Sequence, residues 1–226
     1  MECLKHIRSV ILDLDGTLLD SMPLWHEIDL IFLQENGIVP PDNISDIVGK
    51  MSITEWADYF IREFSMPCTP EYVIRRVEEL AAQAYQESIP LKPCAASFLD
   101  FLDSRGLPYG IATATYKKQA WAALRRLGIA ERMQFVLTGE EVPAGKSQPD
   151  IFLRAATLLC TAPEETLVVE DALHCVETAS AAGFLTAGVY DASVSTEDWE
   201  KMEKLCTVTG KNLDEIRQKM TGNTAQ

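Results

Sequence analysis

Short apolar runs that stop abruptly at acidic or hydroxyl residues recur along this chain, separated by longer stretches of helical spacing. The first covers residues 10–12, and others follow at 109–113, 135–138, 167–170 and 185–190. Their length and β-branched content suit buried strands. Between them the spacing predicts helices at 94–104, 117–127, 149–160 and 173–182. Strands alternating with helices build a doubly wound, Rossmann-like parallel sheet, with right-handed crossovers and helices on both faces. Such α/β sheets bind ligands outside the carboxyl ends of their strands.

From Thr17 to Pro90 the pattern changes. Segments 24–35, 53–64 and 71–88 have helical spacing, and turn signals at Gly37, Pro40-Pro41 and 67–70 separate them. The reading is a small all-helical domain over 17–89, inserted into an α/β domain made of 1–16 and 90–226. Its two connections, near 17–23 and 89–93, are expected to act as hinges. Residues 222–226 read as a frayed tail.

Four of the strand ends carry candidate chemistry. Asp13-Leu14-Asp15-Gly16-Thr17 places two carboxylates beside a glycine directly after the first apolar run. Buried acids need a cation or several donors, and a glycine lets backbone approach closely, so an anion and a divalent metal could meet here. Thr113 ends the second run, with Thr115 a candidate cap for the helix after it. Lys146 stands in the Gly/Pro-rich stretch Gly145-Lys146-Ser147-Gln148-Pro149-Asp150, where it can neutralise a phosphate and hold a carboxylate. Glu170-Asp171 ends a further run. Taken singly, each has a plainer reading as a turn, a cap or a solvated charge.

Together and in this order, the four motifs resemble those of the haloacid dehalogenase-like hydrolases, and among them the β-phosphoglucomutase-like and phosphoglycolate phosphatase-like subfamily with a helical cap. The resemblance covers essentially the whole chain. It departs at Ser147, where proline is commoner, and at His174-Cys175, where a small residue and glycine are usual. It implies that Asp13 is the nucleophile and Asp15 the general acid and base. Thr113, Lys146 and the backbone N–H groups of Leu14 and Ala114 would hold the phosphoryl group. Mg²⁺ would sit on Asp13, the carbonyl of Asp15 and Asp171, with Glu170 orienting a metal-bound water. The cap would contribute specificity through Trp25, Gly49, Lys50 and Ser52, with Met51 and Trp56 as further candidates.

The implied activity is hydrolysis of a small phosphate monoester, a sugar phosphate or nucleoside monophosphate, through an aspartyl-phosphate. Asp15 argues against the dehalogenases, which lack an acid there, and against the phosphonate hydrolases, which carry alanine there and a Schiff-base lysine in the cap; Lys50 is then a surface or substrate-contacting charge. The alternative is a phosphosugar mutase. In those relatives a linker histidine lies ten residues after the acid/base aspartate, and here that position is Trp25, with His26 turned roughly 100° away on a helix. A non-catalytic binding protein on the same fold is a remote third reading, because it would not need Asp13, Asp15 and Lys146.

A formal net charge of −14 argues against nucleic acid or an anionic membrane as partner. It also requires local positive charge to draw in a phosphate ester. Six scattered cysteines without metal spacing suggest free thiols in a reducing cytoplasm. Asp13 and Asp15 interrupt the N-terminal apolar run too early for a signal peptide, and no segment has transmembrane length. A monomer is the expected state.

Overall fold

The computed structural model describes residues 3–41, 44–48, 51, 53–142 and 144–222. The chain divides into two compact units, Met1–Asp20 with Pro90–Gln226, and Ser21–Ile89. The helical unit contains α1 (Met22–Glu35), α2 (Ile44–Val48), α3 (Ile53–Glu63) and α4 (Pro70–Glu87). The other unit opens with a one-turn helix (Cys3–His6) and β1 (Ser9–Leu12), and continues after the helical unit with α5 (Ala95–Ser104), β2 (Tyr109–Thr113), α6 (Lys117–Arg126) and β3 (Val136–Thr138). It goes on through α7 (Asp150–Leu158), β4 (Thr166–Glu170), α8 (Leu173–Ala181), β5 (Leu185–Val189), α9 (Thr196–Leu205), β6 (Val208–Gly210) and α10 (Leu213–Thr221).

The six strands form one parallel sheet in the order β3-β2-β1-β4-β5-β6. Every residue of β1, β2, β3 and β4 is buried, so both faces of the sheet are covered. On one face Ile11, Ala112, Leu137 and Val168 pack with Ile151, Phe152 and Ala155 of α7 and with Cys175 and Ala179 of α8. Val10 and Leu12 alternate to the other face. Helix α10 packs on β5, β6 and α5.

Helix α2 and three C-terminal elements, α9, β6 and α10, are additional to those read from the chain. Helix α9 is capped by Ser195, whose Oγ accepts the Asp198 N–H at 3.1 Å, and Glu197 and Asp198 place negative charge in its first turn. Asn212 caps α10 by accepting the N–H groups of Asp214 and Glu215, and Gly222 closes that helix with a φ of 77°. Strand β6 is a three-residue edge strand whose Val-Thr-Gly sequence is too short for a periodic signal.

The outgoing boundary falls later than residue 17, the sequence-based position, because 17–20 are bonded into the sheet-bearing unit. Leu19 forms an antiparallel bridge with Leu91. Asp20 N–H donates to the Pro90 carbonyl at 3.0 Å and Lys92 N–H to the Leu18 carbonyl at 2.8 Å. The outgoing and returning chains thus form a short ladder.

Inside the helical unit, Trp56 stacks on Phe60 with ring centroids 4.0 Å apart, and Phe32 lies against both rings. The Trp56 indole N–H donates to Asp29 Oδ1 at 2.7 Å. Among the described residues no helix is long and apolar enough to cross a membrane.

Gly110 in β2 lies under the Phe135 ring, where an added Cβ would fall 2.5 Å from the ring's Cζ. Gly110→Ala is therefore expected to destabilise the protein by about 1–3 kcal/mol, the usual cost of overpacking a filled core. Urea unfolding followed by circular dichroism measures this, and an unchanged midpoint would contradict it.

Candidate active site

Strands β1 and β4 are neighbours, and the winding reverses between them: β2 and β3 lie beyond β1, β5 and β6 beyond β4. A ligand crevice opens at such a reversal, outside the carboxyl ends of the strands. Leu12 pairs with Val169, and the Asp13 N–H donates to the Val169 carbonyl at 3.0 Å. That register sets Asp13, one residue past β1, beside Glu170 and Asp171 at the end of β4. Carboxylate oxygens of the three acids lie within 4.8 Å of one another, and all three side chains are buried.

Gly16 makes this approach sterically feasible. Its φ is 82°, its N–H donates to the Leu19 carbonyl at 3.0 Å, and the Leu14 carbonyl accepts from Leu18 and Leu19. An added Cβ would run into the Asp171 carboxyl group, with Cγ only 2.8 Å away. Both the positive φ and the contact exclude larger residues.

Lys146 comes in from the one-turn helix Gly145–Ser147. Its buried Nζ donates to Asp13 Oδ1 and, at 2.5 Å, to Glu170 Oε1. Burial works against the ammonium, but the carboxylates of Asp13 and Glu170 outweigh it and hold its pKa above the ordinary lysine value. One ammonium does not balance three acids. Burial, then the Glu170 charge, push Asp13 up to about 7, against the opposing pull of Lys146. Burial, then the charges of Asp13 and Glu170, push Asp171 up to about 8.

These features fit a divalent cation. Asp13 Oδ2 is buried and has no hydrogen-bond partner among the described residues. Three carboxylates against one ammonium leave a charge deficit of two among these buried groups. The donors are all oxygens, which suits a hard cation.

At the end of β2, Thr113 Oγ1 accepts the Thr115 N–H at 3.1 Å, leaving the Thr113 hydroxyl proton able to donate. Thr115 itself is not the cap of α6. Its hydroxyl donates to Asp15 Oδ2, while a Glu140 carboxylate oxygen accepts the Lys117 N–H at 2.7 Å. Leu14 is fully buried, and Ala114 is exposed.

The two departures from the family motifs have local explanations. Ser147 Oγ donates to the Ala144 carbonyl at 2.7 Å, closing by hydrogen bond a turn that proline would stiffen. Cys175 lies on the face of α8 that packs in the core against the sheet, with its Sγ 3.2 Å from His174 Nε2. Burial raises its thiol pKa, so it stays protonated and takes no ionic part.

Of the cap positions read from sequence, Trp25 lies on α1 and is 44% exposed, whereas Trp56 is packed inside the helical unit. Gly49, Lys50 and Ser52 lie outside the described residues. Two groups escaped the sequence reading altogether. Lys92 Nζ bonds to Asp191 Oδ2 at 2.5 Å and to the Gly16 carbonyl at 2.8 Å. A lone lysine between leucine and proline carries no local sign of such a role.

Acids gathered at the reversal of a doubly wound sheet, with a lysine to meet them, are what an α/β phosphohydrolase requires, and this chain is of that class. It belongs to the haloacid dehalogenase-like hydrolase family, whose pattern matches residues 10–189. It is 33% identical to hexitol phosphatase A of Escherichia coli over 78% of this chain and 80% of that one. It is 27% identical to a phosphorylated carbohydrates phosphatase of Thermotoga maritima, over 78% and 82% of the two chains. Its fold matches the crystal structure of a β-phosphoglucomutase candidate from Thermotoga maritima with a TM-score of 0.86 at 24% identity, covering 96% of this chain and all of that one.

Asp13 and Asp171 keep their protons in the folded protein up to about 7 and about 8, while in the unfolded chain they lose them near the ordinary aspartate value of 3.8. Between these limits the folded state holds more protons, so its stability falls as pH rises. In EDTA the melting temperature is expected to drop from about pH 5 to about pH 8, and a saturating divalent cation is expected to remove the drop. Thermal melts across that window measure it. A metal-free melting temperature that climbs with pH would refute this account of the acids.

Proposed function

We propose that this chain is a Mg²⁺-dependent phosphatase of small phosphate monoesters, with phosphorylated sugars or sugar alcohols as its substrate class. The observation that carries the reading is Asp13, which offers one oxygen to Lys146 and keeps the other buried without a partner, beside Asp171. The relatives named for hexitol and carbohydrate phosphates support the choice over a nucleoside monophosphate.

Asp13 attacks phosphorus and forms an aspartyl-phosphate, splitting one displacement into two. Asp15 gives its proton to the leaving sugar oxygen and then takes one from the attacking water. The Thr115 hydroxyl holds the Asp15 carboxyl group in place for both transfers. Lys146 stays charged between Asp13 and Glu170, and meets phosphoryl oxygens together with the Thr113 hydroxyl and the N–H groups of Leu14 and Ala114. Mg²⁺ held by Asp13, Asp171 and the Asp15 carbonyl would neutralise charge on the phosphoryl oxygens. Glu170, already bonded to Lys146, serves beside the metal rather than as a main ligand. Discrimination among substrates is assigned to the helical unit, with Trp25 as its candidate residue, and the enzyme works as a monomer in the cytoplasm.

The test is phosphate release from a panel of hexitol phosphates, hexose phosphates, nucleoside monophosphates and phosphoglycolate. Release is expected to need Mg²⁺ and to vanish in EDTA and in Asp13→Asn. Asp15→Asn is expected to lose about 10²–10⁴-fold in kcat, the usual worth of a general acid and base. Conversion of glucose 1-phosphate to glucose 6-phosphate without net release would overturn hydrolysis in favour of a mutase.

A further inference from the structure

The Lys92–Asp191 pair lies outside the four motifs but ends against them. Lys92 follows Leu91, the residue that bridges Leu19 where the chain returns from the helical unit. Its backbone N–H is spent on the Leu18 carbonyl at 2.8 Å. Its side chain runs to the carboxyl end of the sheet, where Nζ donates to the Gly16 carbonyl at 2.8 Å, to Asp191 Oδ2 at 2.5 Å and to the Tyr190 carbonyl at 3.4 Å. An ammonium has three protons, and these partners account for all of them.

Asp191 follows β5 by two residues and is itself fixed. Its other oxygen accepts the Ser193 N–H at 2.8 Å and the Ser193 hydroxyl at 2.6 Å. Burial would raise its pKa, but the bonds from Lys92 and Ser193 outweigh that and hold it ionised. The pair is nearly buried, with side-chain exposures of 13% and 5%. A pair so little exposed holds one geometry, unlike surface ion pairs.

Gly16 is therefore held at both ends, by Leu19 through its N–H and by Lys92 through its carbonyl. On its third side stands the Asp171 carboxyl group, which leaves no room even for a Cβ. Fixing Gly16 fixes the peptide before it, whose carbonyl belongs to Asp15.

We propose that Lys92, oriented by Asp191, is a positioning residue for the metal site. It clamps the Asp15–Gly16 turn so that the Asp15 carbonyl and the Asp13 and Asp171 carboxylates stay in register for one cation. The inference rests on the functional reading above. Partners one bond removed from a metal's ligands typically change its affinity 10–100-fold when lost.

The experiment compares the full chain as wild type, Lys92→Met and Lys92→Arg, using Mg²⁺ itself as the probe. Titration calorimetry gives metal affinity, and kcat and KM come from the best substrate of the panel. Lys92→Met keeps the stem and removes the three donors; Mg²⁺ binding is expected to weaken at least tenfold. Its kcat should fall by a similar factor, with KM within about threefold, because substrate contacts are untouched. Lys92→Arg keeps the charge pair and so the fold, but a planar fork cannot reproduce the ammonium tripod; at least threefold weaker binding is expected. Folded variants that bind Mg²⁺ as wild type does, or a loss confined to KM, would overturn the role of Lys92. Should Lys92→Met not fold, Lys92→Arg alone decides. A wild type that neither binds Mg²⁺ nor releases phosphate would instead sink the functional reading, and this inference with it.

Discussion

The molecule is organised around an imbalance of buried charge. Asp13, Glu170 and Asp171 face one another across two adjacent strand ends, and among the described residues Lys146 alone answers them. Removing carboxylates from water costs several kcal/mol each unless charge and donors replace it. Lys146 meets that need for two of the acids and leaves Asp171 without comparable help. The raised proton affinities of Asp13 and Asp171 express what is left over. A site of this kind is a poor device for stability and a good one for attracting a cation and a phosphate together.

Other features make sense as supports for that imbalance. The parallel sheet buries every residue of β1 and β4, so the acids can emerge only at the strand ends. Gly16 brings backbone against Asp171, and Lys92 pins that backbone from the side of the returning chain. The charge of Lys92 is matched by Asp191, so it fixes geometry without relieving the acids. Lys146 and Lys92 are used differently: Lys146 answers the acids, and Lys92 holds the backbone beside them.

Much of this was legible in the chain because it is local. An apolar run that ends in Asp-x-Asp-Gly or Glu-Asp announces a strand and its carboxyl end in one stretch, and β1, β2 and β4 begin and end within one residue of their sequence-based positions. Helices α9 and α10 carry caps in Ser195 and Asn212, but they follow the last motif, and a cap without a motif or a clear apolar period gives little sign of a helix. Lys92, Asp191 and the Thr115 bond to Asp15 were not legible, since each depends on partners about a hundred residues away. Trp56 shows the converse. A tryptophan on an amphipathic helix reads equally well as a lid contact or as core, and only its stacking on Phe60 separates the two.

The strand order also bears on how the chain is made. Strand β1 is synthesised first, yet its neighbours β2 and β4 begin only at Tyr109 and Thr166. The helical unit, built from contacts among residues 21–89, can complete itself while β1 still waits on the ribosome. Its outgoing and returning ends are then stitched by Leu19 and Leu91, which shortens the loop that β1 must close to find β2. In this order of assembly the inserted domain acts as an early-folding spacer, and the acidic centre becomes whole only after Asp171 has left the exit tunnel.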